Sequence, residues 1–167
     1  MPPAIHPEIS GSSGSFSIFV APSGILEEAL SNLLSSNRKH ALYLCGNYPE
    51  MLPKFSVNQR NLSIRRALTS YQILTILQEA YESLILFEHD RTWYEDNAEL
   101  IPIIGEICKK KAEEFRTVIL FSTTFDRWLS RIDPYGHRVV YFLNIESKLK
   151  KETPISGQTQ HTLQGIW

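Results

Sequence analysis

Glu88, His89 and Asp90 stand in a row at the end of one apolar run, "SLILFE", and Asp126 follows another, "TVILFS". In open α/β sheets ligands bind beyond the carboxyl ends of the strands, so these side chains fall where a site is expected. Carboxylates converging there can hold a divalent cation and support nuclease or phosphatase chemistry. The competing reading is that Glu88, Asp90 and Asp126 are strand-end acids satisfied by hydrogen bonds or solvated in loops. No Ser-His-Asp or Cys-His arrangement can be assembled from the sequence. Trp93 and Tyr94 in "TWYEDN" read either as exposed rings that stack on bases or as rings packed on the domain.

The chain must first supply a scaffold for such groups. Its 167 residues suffice for one domain plus tails. Hydrophobic residues at 43% and charged residues at 21% are the balance of a globular protein rather than a disordered one. A formal net charge of −1 excludes a global field that recruits nucleic acid or anionic membrane. Lys109 to Lys111 and the group Lys148, Lys150 and Lys151 are local basic patches, or simply solvated charge. Cys45 and Cys108 sit in apolar surroundings, far from any zinc spacing, which predicts a reducing compartment. No stretch has the apolar length of a membrane span, and "MPPAIHPEIS" lacks the features of a signal peptide. The expected location is the cytoplasm, with no membrane partner and no cofactor.

The hydrophobic period then alternates between two kinds of element. Residues 16–21 form an apolar β-branched and aromatic run, and "ILEEALSNLLSS" follows with Ile25, Leu26, Ala29, Leu30, Leu33 and Leu34 at helical spacing. Further strands are expected over residues 40–45, 61–67, 83–88, 117–122 and 138–143. Helices are expected after Thr69, which forms a capping box with Gln72, and over residues 102–114. The run at 83–88 shows no alternation, the pattern of a central strand covered on both faces. Strands alternating with helices predict a three-layer α/β fold, a mostly parallel central sheet with helices on both faces. Residues 1–15, which include the linker-like "GSSGS", are expected to be a flexible segment, 16–145 the domain and 146–167 a tail.

The order of these pieces resembles the RecA/RadA/KaiC ATPase core. "FSIFVAPSGILEEALSNLL" is similar to the first strand, phosphate loop and helix of that family, "LILFEHD" to its Walker B strand, and "VILFSTTFD" to its next central strand. A working phosphate loop needs GxxxxGK[ST], glycines for close backbone approach, a lysine for the phosphates and a hydroxyl for Mg²⁺. On that pattern Ala21 takes the first glycine, Leu26 the second, Glu27 the lysine and Glu28 the hydroxyl position, and Gly24 is the only glycine left. The resemblance therefore implies a RecA-like domain that has lost ATP binding and hydrolysis, with Glu88 as a relic of the Walker B acid. The alternative is that "PSG" is an ordinary turn in an unrelated α/β fold.

The last residues, "QTQHTLQGIW", place Leu163, Ile166 and Trp167 beyond a polar stretch where they can hardly belong to a core. Positions i, i+3 and i+6 of a single turn fall on one side, so Leu163 and the Ile166-Trp167 pair make one apolar plug with Gln160 at its polar edge. Gln160, Leu163, Ile166 and Trp167 resemble the PIP box, the peptide by which proteins dock on the sliding clamp PCNA. The resemblance implies that Gln160 fills a small polar pocket and the plug a hydrophobic groove of the clamp. Ile166 departs from the commoner aromatic. A tail that instead folds back onto its own sheet is the other reading.

Together these readings predict a non-enzymatic accessory protein of DNA replication or repair, archaeal in type, that binds PCNA through its C-terminal peptide. A recombinase paralogue binding DNA or an active RecA-family partner is the second expectation, and a metal-dependent nuclease the third.

Overall fold

The structure, a computed structural model, describes residues 14–55 and 61–142. Six strands form one sheet: β1 (Phe16–Val20), β2 (Ala41–Cys45), β3 (Leu62–Arg66), β4 (Leu84–Glu88), β5 (Thr117–Ser122) and β6 (Arg138–Tyr141). Their spatial order is β3-β2-β4-β5-β1-β6. Every pairing is parallel, so the carboxyl ends of all six strands lie on one edge. Among the described residues there are four α-helices: α1 (Ser23–Ser36), α2 (Ser70–Glu79), α3 (Ile101–Glu113) and α4 (Arg127–Ile132).

Alternation along each strand sends neighbouring side chains to opposite faces, and both faces are covered. On one side, Leu26, Leu30 and Leu34 of α1, spaced one turn apart, pack with Phe19, Tyr43, Leu86 and Phe121. On the other, Ile73 and Leu77 of α2, Ile104 and Cys108 of α3, and Leu129 and Ile132 of α4 pack with Ile18, Leu44, Ile85, Phe87 and Leu120. Covering on both sides explains why β4 and β5 are continuous apolar runs, buried at every position. The three-layer, parallel architecture expected from the sequence is the one observed.

Local differences have local causes. The Thr69 hydroxyl caps α2 by accepting the Gln72 amide (3.2 Å), but Gln72 Oε1 returns the bond to the Leu68 amide (2.6 Å), one residue before the position a capping box uses. Helix α4 was not expected, because six residues are too few to show a period. Hydrogen bonds to β5 begin already at Gly14 and Ser15, inside the segment expected to be linker: the Gly14 amide donates to Arg116 O and the Val118 amide to Ser15 O.

Of the two readings of Trp93 and Tyr94, the structure shows rings packed in the domain rather than exposed for base stacking. They are 1% and 0% exposed. The Trp93 indole donates to Ala67 O (2.8 Å), while the buried Ser70 hydroxyl donates to Trp93 O. These bonds let the Trp93 ring enter the core without an unpaired indole N–H or serine hydroxyl.

Candidate functional site

The connection from β1 to α1 consists of Ala21 and Pro22 alone. Pro22 is the residue flanking the helix (φ −54°, ψ 151°) and accepts the amides of Ile25 and Leu26, each at 3.1 Å. The Ala21 amide is spent on Ser122 O. Residues 23–28 are thus the first turns of α1, and no wide loop of converging N–H groups surrounds a phosphate-sized space. Gly24 is exposed on the helix, and Glu27 and Glu28 occupy consecutive helical positions about 100° apart. They do not face one another across a cleft.

At the end of β4, Glu88 points to the α1 face of the sheet and is 6% exposed. Its Oε2 accepts the Tyr43 hydroxyl at 2.5 Å, and its Oε1 accepts the amides of Glu50 (2.6 Å) and Met51 (3.0 Å). Three donors commit both carboxylate oxygens to the protein. The same bonds pin the loop after β2 against β4, and Glu50 Oε2 accepts Thr123 Oγ1 (3.0 Å) to tie it to the loop after β5. Burial, followed by the charge of Glu88 and the hydrogen bond to it, raises the Tyr43 pKa far above the usual phenol value. Burial and then Glu88 also push the Cys45 thiol up to about 11.

His89, one residue on, points to the opposite face. Its ring is 3% exposed, stacks on Tyr94 at a centroid distance of 5.8 Å, and places Nε2 2.7 Å from Asp126 Oδ2. A carboxylate oxygen only accepts, so Nε2 carries the proton of this bond. Asp126 Oδ1 accepts the amides of Trp128 (3.0 Å) and Leu129 (2.8 Å), which makes it the cap of α4. Burial is the largest influence on Asp126 and would raise its pKa. The His89 bond and the two amides outweigh it and hold the carboxyl below its usual value. His89 Nδ1 and the Tyr94 hydroxyl are buried with no hydrogen-bond partner among the described residues.

Asp90 uses Oδ1 to accept both the amide (3.0 Å) and the hydroxyl (2.7 Å) of Thr92. Its Oδ2 lies against the backbone of Gly46, just after β2, so a side chain at residue 46 would force the Asp90 carboxylate to move. A cavity of about 310 Å³ opens between these strand ends, lined among others by Tyr48, Glu50, Arg91, Thr123 and Asp126. The structure therefore brings Glu88, Asp90 and Asp126 to one edge, as expected, but turns each carboxylate onto protein donors. Among the described residues no three His, Cys, Asp or Glu side chains are grouped to hold a metal ion.

Tyr43 and the Glu50–Met51 amides are the partners that sequence reasoning missed. The one available signal was a polar-tipped ring inside the apolar strand "ALYLC". Gln160, Leu163, Ile166 and Trp167 lie outside the described residues. No helix among the described residues is long and apolar enough to cross a membrane.

The fold and site define a three-layer α/β protein whose strand-end carboxylates are engaged within the protein. No family model matches the chain. An uncharacterized protein of Archaeoglobus fulgidus is 32% identical over 119 residues, which cover 68% of this chain and 57% of that protein. The matched region thus spans a little over half the length of that relative.

Proposed function

We propose that this chain is a catalytically silent RecA-like domain that serves DNA replication or repair as a non-enzymatic accessory protein. It binds the sliding clamp PCNA through Gln160, Leu163, Ile166 and Trp167. The observation that carries the first half is the replacement of the phosphate-loop position by a two-residue connection and a helix that begins at Ser23. The insertion of β5 between β1 and β4 supports the RecA-like assignment, since it sets the Glu88 strand one strand away from that connection. Glu88, fully hydrogen-bonded, then acts as a clamp on the loop after β2 rather than on a metal. The second half is carried by the spacing of the four tail residues, and the Lys148 to Lys151 group upstream suits an acidic partner.

Separate calorimetric titrations with Mg·ATP, single-stranded DNA and clamp test this reading. The expected result is saturable heat with the clamp alone. A micromolar dissociation constant for Mg·ATP refutes the silent domain, and saturation with DNA but not clamp favours a recombinase-type partner instead.

A further inference from the structure

Strand β3 is one lateral margin of the sheet and pairs with β2 alone. The Ala41 amide donates to Asn61 O (2.8 Å) and the Ala67 amide to Cys45 O (2.9 Å). With Ala41 opposite Leu62 in a parallel register, these two bonds fix the phase of the ladder, and residues 61, 63, 65 and 67 turn their backbone groups to β2. Leu62, Ile64 and Arg66 therefore turn their N–H and C=O groups outward. Among the described residues nothing bonds to those groups.

Such an edge is a template for another strand, and proteins commonly blunt it with charge. Here the charges are drawn back onto their own chain. Arg65 reaches Glu79 of α2 at 3.1 Å, and Arg66 donates to Asn47 O (3.3 Å) in the connection after β2. The residue left at the middle of the edge is Ile64, β-branched and 39% exposed.

The order of residues in "LSIRR" decides which strand fits. Its first half is uncharged, and its second half carries both arginines. A second copy running antiparallel about a twofold axis at Ile64 sets Ile64 against Ile64, Leu62 against Arg66 and Ser63 against Arg65. The outward residues then form three hydrogen-bonded pairs, each exchanging two N–H to C=O bonds. No arginine opposes an arginine, and the isoleucines meet as a cross-strand apolar pair. Shifting the partner by two residues loses one of the three pairs in either direction. In the direction of the arginines it also sets Arg65 directly against Arg65, which is destabilising. The strand is thus complementary to its own reverse in one register. A net charge of −1 adds little repulsion between copies.

We propose that β3 is a self-association edge, where two copies of this chain join their six-stranded sheets into one as an isologous dimer. The dimer requires neither the clamp nor a nucleotide. A strand of five residues is about 17 Å long, so this pairing buries less than the ~1,200–2,000 Å² of a stable interface. The association is accordingly weak and reversible, with an expected dissociation constant of about 10–500 μM.

Sedimentation equilibrium of the full chain across that range tests this, and the expected result is a monomer–dimer equilibrium. Ile64→Lys sets two ammonium groups against each other at the twofold axis. It should raise the dissociation constant at least tenfold with an unchanged circular dichroism spectrum. Ile64→Cys supplies a second readout, since α-carbons across a hydrogen-bonded antiparallel pair lie about 5.5 Å apart, within the span of a disulfide. Its oxidation should link two copies at least ten times faster than that of Ser130→Cys, a position exposed on α4. The native Cys45 and Cys108 are buried and stay silent. A chain that remains monomeric would leave the edge to a strand of some other protein. That result, a dimer indifferent to Ile64→Lys, or equal oxidation rates of the two cysteine variants overturns the proposal.

Discussion

Replacing Glu88 by alanine separates a loop clamp from a metal-site acid. The substitution removes the acceptor of the Tyr43 hydroxyl and of the Glu50 and Met51 amides. Tyr43 and Met51 are 0% and 1% exposed, so their donors stay dry, whereas Glu50 is exposed and its amide can meet water. An orphaned buried donor costs about 1–3 kcal/mol, so two give a total of about 2–6 kcal/mol for Glu88→Ala. That is a large share of the ~5–15 kcal/mol that holds a domain together. Glu88→Gln keeps an oxygen for the two amides and a group for the Tyr43 hydroxyl, and should lose less than half as much. Urea denaturation followed by tryptophan fluorescence reads both, since Trp93 and Trp128 are buried in the core. The loss should be the same with EDTA and with Mg²⁺. Stability of Glu88→Ala within about 0.5 kcal/mol of the parent would refute the clamp, and a Mg²⁺-dependent stabilisation of the parent alone would restore the metal reading.

Asp126→Ala should cost about 1–3 kcal/mol by the same assay, since it removes the cap of α4 and strands His89 Nε2. Because the Asp126 carboxyl is held below its usual value, its contribution is complete above the unfolded carboxylate pKa of about 3.9 and is lost as pH falls through the lower folded value. An acid titration of stability should therefore be shallower below about pH 4 in the variant than in the parent; identical slopes would contradict the assignment. Burial pushes the Cys108 thiol up to about 12 and, with Glu88 second, the Cys45 thiol up to about 11. Both should resist iodoacetamide at pH 8 in the native protein and react fully in urea, and rapid native labelling of either would show that its surroundings open.

The fold was legible because burial on two faces writes itself into the sequence as continuous apolar runs at β4 and β5, and because α1 repeats leucine once per turn. The placement of Glu88, Asp90 and Asp126 on one edge followed from the parallel sheet. Their partners did not, since Tyr43, Glu50 and Met51 lie 45, 38 and 37 residues from Glu88 along the chain. Trp93 and Tyr94 stayed open between surface and core because their neighbours in "TWYEDN" are acidic, and the partner that satisfies the buried indole, Ala67 O, lies 26 residues away. Between β1 and α1 the residues "PSG" announced a turn, but only the backbone reveals that α1 begins directly after Pro22.

Docking of the tail on a sliding clamp is the core of the proposed function. An apolar plug of Leu163, Ile166 and Trp167 removes a few hundred Å² from water, several kcal/mol at about 25 cal/mol per Å² before ordering costs. A micromolar dissociation constant corresponds to about −8 kcal/mol and is the expected strength. The direct measurement is fluorescence anisotropy of a labelled peptide of residues 158–167 titrated with clamp and competed by the unlabelled full chain. Saturation near micromolar, weakened at least tenfold by Leu163→Ala or Trp167→Ala and little by His161→Ala, is the predicted result. No affinity of the peptide for the clamp, together with a lower thermal midpoint of the chain when it ends at Lys151, would show a self-capping tail and contradict the claim.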